Sequence, residues 1–349
     1  AYTQWLTKQG QTWEELYDGP GTPYVKHGVP AEYHQSTWCA NMAIDFIREH
    51  EGKPWFFSYN SFAPHHPFDP PADYLARYKP DDMPLPKSRP GELENKTTYQ
   101  QLDSQQAHND PGSYNVAAMT DADKREVTAA YYAMIEHIDE GVGRMIAALE
   151  ATGQLENTII IFMSDHGEML GDHGLMNKLG FFDQAFHIPL ILRYPPVTGG
   201  SASTGAVVEA FTENVDVMPT LLDLAGLEVP RQCQGRSLRP WLEGTVPDGW
   251  RTAVHWEFDF RLFAGAVDLP GHLCNLAVHR DRRGKYVHFV GWPAVFYDLE
   301  DDPAEQRPLD AHPAMAEYAA SLLDWRMATD DQVLADHVAL PGGMVVLDA

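Results

Sequence analysis

The densest run of reactive side chains lies in residues 158–178, TIIIFMSDHGEMLGDHGLMNK, where Asp165 and His166 are adjacent and Glu168, Asp172, His173 and Lys178 follow. A carboxylate oxygen is a hard anionic ligand, and a neighbouring imidazole nitrogen suits Mn, Fe or Zn better than pure calcium chemistry. Two ligands do not complete a metal site. A polar turn in which Asp165 caps whatever follows would use the same residues without chemistry. A second cluster, APHHPF at residues 63–68, places His65 and His66 between prolines that stiffen the loop. Histidines beside prolines also occur as plain loop residues.

The elements around these clusters must bring them to one end of a sheet. Residues 158–163 form a short, mostly β-branched apolar run that reads as a strand buried on both faces, ended by Ser164. Asp165 and His166 then sit at the carboxyl end of a central strand, where open α/β sheets place ligands, with Gly167 allowing a sharp turn. Residues 55–62, WFFSYNSF, read as a second core strand running into His65, and residues 188–194 as a third. Residues 120–153 predict a long helix, with Thr120 and Asp123 as a capping box and Gly153 as its stop. Further helices are expected over 13–17, over 36–50 with Ser36 as cap, and over 211–226 with Pro219 near the start and Gly226 at the end. Residues 70–112, rich in Pro, Asp, Gln and Asn, read as a surface excursion. Beyond Trp250 the pattern changes to four short strands, 253–258, 275–279, 286–290 and 295–299, and a helix over 315–327. His255 and Glu257 share one strand face, either bordering a pocket or simply exposed.

SDHGEMLGDHGLMNK resembles the segment carried by sulfatases and the related phosphonate monoester hydrolases of the alkaline phosphatase superfamily. PHHPF resembles the PHxPF segment that lies upstream of it in that family. The resemblance implies that Asp165 and His166 bind the active-site metal and that Lys178 and His65 contact the transferred group, His65 also serving the leaving oxygen. GRSLRPWL (235–242) and YDLEDDPAEQRPL match two family turns, with Gln234 and Pro308 departing from the usual Asp and Asn. HWEFDFR and CNLAVHRDRRGKYVHF look closer to phosphonate monoester hydrolases. The implied fold is α/β: an alkaline-phosphatase-like mixed sheet flanked by helices, here incomplete, over 1–249, and a C-terminal α+β subdomain with a four-stranded antiparallel sheet over 250–349. The implied activity is metal-dependent hydrolysis of sulfate, phosphate or phosphonate mono- or diesters, with Mn, Ca or Zn as cofactor and a small anionic ester as substrate.

The family's nucleophile is a formylglycine made from cysteine in a C-x-P-x-R context. Cys39, Cys233 and Cys274 all lack the proline two positions on. The nucleophile and the remaining ligands are therefore expected outside these 349 residues, with this stretch a catalytically silent, weakly metal-binding portion of a longer enzyme. The alternative is a non-catalytic metal-binding or assembly module.

A formal charge of −25 argues against nucleic acid and anionic membranes as partners. It also requires a local positive field wherever an anionic ester is handled. An odd number of cysteines without regular spacing fits a reducing, cytoplasmic setting. An apolar face beside the 158–163 strand leads to an expectation of self-association into a homo-oligomer.

Overall fold

The computed structural model describes residues 1–349 except 18–20, 27–28, 96, 106–113, 196–204, 330–336, 341–342 and 347–349. The chain forms two compact units that interleave along the sequence. One comprises Ala1–Phe162, Glu168–Lys178 and Pro189–Val197; the other comprises Met163–Gly167, Leu179–Ile188 and Thr198–Ala349. The division expected from sequence was instead two successive stretches.

The first unit contains α1 (Tyr2–Lys8), α2 (Trp13–Tyr17), α3 (Gln35–Glu49), α4 (Ala72–Leu75), α5 (Thr98–Ser104) and α6 (Asp121–Ala151), with β1 (Ile160–Met163) paired to β2 (Leu190–Arg193). The 31-residue α6 starts where its sequence says it should: Thr120 Oγ1 accepts from Asp123 N at 3.2 Å, and Asp123 Oδ2 accepts from Thr120 N at 2.7 Å. Beyond its end Gly153 takes φ 67°, a left-handed stop that glycine adopts without a Cβ penalty. Val127, Ala130 and Met134 form its buried stripe with Phe68, Met119 and Met176. Each large apolar side chain buried there stabilises the unit by roughly 1.5–3 kcal/mol. A Cβ on Gly141 would lie 3.3 Å from Ala40 Cβ, so α3 runs close against α6, and Ile44 and Ile47 pack on Ala148 and Leu149. The cap of α3 is His34, whose Nδ1 accepts from Ser36 N at 3.1 Å; Ser36 itself lies in the first turn.

Three expectations fail in this unit. Residues 55–62 carry no ladder, and Phe56 is 77% exposed. An aromatic run too short to show its period cannot be told from extended coil, and no described strand pairs with it. Neither β1 nor β2 is covered on both faces, since Phe162 and Ile191 are exposed on a sheet of two strands. The third expectation fails only in part: most of residues 76–91 are exposed, as a surface excursion should be, but Tyr74, Glu92, Tyr99, Gln100, Asp103 and Ser104 are all buried. Polar composition hid that burial because the polar groups bury one another, as His173 and Glu92 do. The remainder of that stretch, 106–112, lies outside the described residues.

The second unit contains α7 (Asp183–Phe186), α8 (Val217–Leu224), α9 (Arg239–Leu242), α10 (Ala264–Val267) and α11 (Met315–Thr329). Its antiparallel sheet has the order β3 (Ala253–Asp259), β4 (Asn275–Asp281), β5 (Gly284–Phe289) and β6 (Val295–Asp298). α11 lays Tyr318 and Leu322 onto Ala277, Tyr286 and Phe296 of one sheet face. A hairpin, β7 (His337–Leu340) and β8 (Gly343–Val346), follows. The four strands and the helix are those expected beyond Trp250. Before them, Asp216 is fully buried and accepts from Arg236 N at 2.7 Å, Glu213 N at 2.8 Å and Arg251 Nη2 at 2.7 Å. This carboxylate ties the turn before α8 to the 235–238 turn and to the approach to β3.

Candidate active site

The four residues singled out for chemistry fall into two pairs, one in each compact unit. In the first unit, Lys178 Nζ lies 2.5 Å from His65 Nε2, although 113 residues separate them. His65 Nδ1 lies 2.7 Å from the His66 carbonyl, which can only accept, so Nδ1 carries the ring proton and Nε2 accepts from the ammonium. The histidine loop is shaped by two cis peptides, Ala63–Pro64 and His66–Pro67. His66, next in sequence, has its pKa lowered to about 4 by burial, with the His65 ring and the Lys178 charge adding to the effect. It is neutral at pH 7 and supports the loop through its carbonyl.

Glu168 is the electrostatic surprise of this unit. Burial raises its carboxyl to about 8, against the opposing pull of the Lys178 ammonium. A carboxyl that keeps its proton at neutral pH does not cancel that ammonium, so a net positive charge survives beside His65 in a chain of formal charge −25. Glu168 was visible only as one polar loop residue, because nothing in its sequence neighbourhood signals enclosure. The loop leading to Lys178 is anchored by His173, fully buried with φ 56° and with Nδ1 2.6 Å from Glu92 Oε1. Asp172 Oδ1 accepts from Lys87 N at 2.7 Å, and Asn177 Nδ2 reaches Asp103 Oδ1 at 3.3 Å. Asp172 and His173 are therefore scaffold for Lys178.

In the second unit, Asp165 Oδ1 accepts from His166 N at 2.9 Å, and Asp165 Oδ2 stands 3.8 Å from His166 Nε2. His166 Nδ1 lies 2.7 Å from the Gly167 carbonyl, which makes Nδ1 the protonated nitrogen and Nε2 the lone-pair nitrogen. A lone-pair imidazole nitrogen beside a carboxylate oxygen fits a divalent cation as part of its donor set. Among the described residues no group of three or more His, Cys, Asp and Glu side chains gathers as a cation site. Gly167 is needed for a different reason from the one its sequence suggests. It does not adopt positive φ; instead a Cβ there would meet Gln184 O at 2.0 Å. Its amide donates to Ala185 O at 2.8 Å, so backbone proximity forbids a side chain.

The strand-face pair His255 and Glu257 borders no site of this kind. His255 Nε2 and His279 Nδ1 are 2.9 Å apart across β3 and β4, Trp325 stacks on His255, and Glu257 pairs with Arg326 at 3.2 Å.

A family model described as Sulfatase matches residues 4–227, and one described as N-sulphoglucosamine sulphohydrolase, C-terminal, matches residues 171–330. The chain belongs to the sulfatase family. The chain is 37% identical to the multifunctional alkaline phosphatase superfamily protein PehA of Trinickia caryophylli, over 99% of its length and 71% of PehA. It is 35% identical to an arylsulfatase of Clostridium perfringens, over 80% of the chain and 54% of that protein. Among solved structures, it aligns with the phosphonate monoester hydrolase of Agrobacterium radiobacter at a TM-score of 0.86 and 34% identity, covering 100% of the chain and 73% of that one. SpPMH, the phosphonate monoester hydrolase of Silicibacter pomeroyi, gives 0.87 and 28%, covering 99% and 72%. The chain thus has the alkaline-phosphatase-like α/β fold with its four-stranded C-terminal sheet, as its motifs imply.

Proposed function

We propose that the intact protein hydrolyses phosphonate, phosphate or sulfate esters, with Lys178 and His65 against the transferred group and Asp165 and His166 among the ligands of a divalent cation. The observation that carries this reading is the contact between Lys178 Nζ and His65 Nε2 at 2.5 Å, made across 113 residues of sequence. Similarity to PehA and to phosphonate monoester hydrolases supports the same chemistry.

Lys178 neutralises charge that builds on the non-bridging oxygens of the ester as its bond to the leaving oxygen lengthens. His65 Nε2, which carries the lone pair, takes a proton from Lys178 Nζ and passes it to the departing alkoxide or aryloxide, leaving Lys178 as the neutral amine once that group has gone, while Nδ1 stays bound to the His66 carbonyl. A divalent cation held by Asp165 and His166 would supply Lewis acidity at the reacting oxygen. No cysteine of this chain has the C-x-P-x-R context, so we assign the nucleophile to a formylglycine-type residue outside these 349 residues. Three free thiols accord with a cytoplasmic enzyme. Exposed Phe56, Phe162 and Ile191 accord with self-association, and the acidic surface with small anionic substrates reached through one local positive site.

Lys178→Ala and Asp165→Asn in the intact protein should each lower kcat/KM by about 10²–10³-fold, the usual effect of removing one charge-stabilising group. Parallel assays on aryl phosphonates, phosphates and sulfates rank the substrate class. Near-parental turnover in either variant, on every ester, removes the assignment.

A further inference from the structure

Lys285 is a lysine with no exposed surface, on β5 of the C-terminal sheet. Its Nζ donates to Phe181 O at 2.9 Å and to Asp183 Oδ1 at 2.7 Å, and is ion-paired with Glu305. Arg280, on β4, donates to the other oxygen, Asp183 Oδ2, at 2.8 Å. The Asp183 amide in turn donates to Glu305 Oε2 at 2.9 Å. At the far end of the single turn α7, Phe186 stacks on Trp256 of β3 with ring centroids 4.8 Å apart and planes 16° off parallel. The C-terminal sheet therefore grips α7 at both ends.

Between those ends lies the carbonyl of Ala185, which receives the Gly167 amide at 2.8 Å, and the carbonyl of Gln184, against which Gly167 sits too closely for any side chain. Gly167 is the residue whose own carbonyl accepts from His166 Nδ1 at 2.7 Å and so orients the imidazole. A path of hydrogen bonds and ion pairs, bridged between Asp183 and Ala185 by the backbone of α7 and lying within one compact unit, runs from Lys285 and Arg280 to Gly167 and His166. Burying a lysine is a poor way to gain stability, because desolvation offsets most of the attraction and an apolar replacement of like size is often neutral or better. What such a residue can supply is a fixed register.

We propose that Lys285, acting with Arg280 through Asp183, is a positioning residue that sets the orientation of the Asp165–His166 pair from the C-terminal sheet. The inference rests on the reading of Asp165 and His166 as cation ligands. It predicts that changes at a residue remote in sequence from the motif weaken cation binding, as changes to groups that orient metal ligands typically do by 10–100-fold.

The test is calorimetric titration of the intact protein with Mn²⁺, read beside urea unfolding. Lys285→Met should weaken Mn²⁺ binding at least about 10-fold, within the range usual for such orienting groups. Gly167→Ala, which breaks the same path at its other end, should do likewise. Arg251→Met is the control, since it removes another ion-paired group of the same unit, one bonded to Asp216 and outside the path. It should lower the urea midpoint while leaving Mn²⁺ affinity within about twofold, well short of the loss expected from an orienting group. If Lys285→Met does not fold, Asp183→Asn, which keeps shape and removes only charge, is read in its place. Parental Mn²⁺ affinity in folded Lys285→Met, or equal weakening in Arg251→Met, overturns the positioning role. If instead Asp165→Asn leaves Mn²⁺ affinity unchanged, the ligand reading itself has failed.

Discussion

His173 offers a sharp test of how the loop before Lys178 is held. It is fully buried, its Nδ1 lies 2.6 Å from Glu92 Oε1, and its backbone sits at φ 56°, ψ 13°. Its amide donates to Lys87 O at 3.0 Å. Changing His173 to Ala keeps that amide and removes the imidazole, leaving Glu92, itself buried, without its closest partner. Breaking a buried pair by removing one member costs about 3–5 kcal/mol. The left-handed backbone adds a second, separable quantity, because a Cβ in that region costs roughly 1–2 kcal/mol. His173 and Ala both carry that penalty; Gly does not. His173→Ala should therefore lose about 3 kcal/mol or more relative to the parent, the low end for a broken buried pair. His173→Gly should be less damaging than the alanine variant by about 1 kcal/mol, the strain released. Urea unfolding at constant m-value measures both, and a cycle with Glu92→Ala isolates the pairwise part, expected within the 0.5–3 kcal/mol seen for residues in contact. A loss below about 1 kcal/mol in His173→Ala, smaller than any broken buried pair should give, would show that the pair contributes no net anchoring. Identical alanine and glycine variants would show that the backbone carries no strain.

Acid should destabilise the fold through histidines buried in the neutral form. Burial, with nearby positive or titrating groups, lowers His66, His137 and His255 to about 4 each. The unfolded chain takes up these protons near pH 6.5 and the folded chain does not, so the histidines' contribution is constant above that pH and falls as pH drops from 6.5 towards 4, whereas Glu168, raised to about 8, contributes in the opposite sense as pH falls from 8. For the most enclosed of the three, His137, the loss between pH 6.5 and 5 is at most about 2 kcal/mol, at 1.36 kcal/mol per unit. Urea midpoints at pH 7.5, 6.5 and 5 in a Glu168→Gln background, which removes the opposing carboxyl, check the direction, and a midpoint that rises on acidification contradicts it. Asp216→Ala should destabilise by about 3–5 kcal/mol, because Arg251 and two backbone amides lose a buried acceptor together. A thermal scan in which this variant melts with the parent would refute that account.

Local rules that act within one element carried through from sequence to structure. The capping box at Thr120 and Asp123, the Gly153 stop, and the four short strands beyond Trp250 all appear. His65 and Lys178 were also legible, by family resemblance, and the structure brings them into contact. What could not be read depends on partners distant in sequence. Residues 55–62 have strand composition and no described strand to pair with. Glu92, Gln100, Asp103 and Ser104 look like surface residues until their buried neighbours are known. Lys285 sits in a polar-looking stretch, GKYVHF, and only the fold places it opposite Asp183 and Glu305. Glu305, in one of the two family-like turns, belongs to that same buried cluster.

The interleaving of the two compact units bears on the order in which the protein can be completed. The chain passes from one unit to the other five times, after residues 162, 167, 178, 188 and 197. Lys285 follows His166 by 119 positions (285 − 166). At a synthesis rate of about 5–20 residues per second, that gap lasts on the order of ten seconds. Throughout it Asp183 lacks both Lys285 and Arg280, and α7 has no sheet to hold it. The motif that looks self-contained in the sequence thus waits for a later part of the chain that carries none of its signature residues. A ribosome stalled before β4 would display the intact SDHG sequence without the framework that orients it.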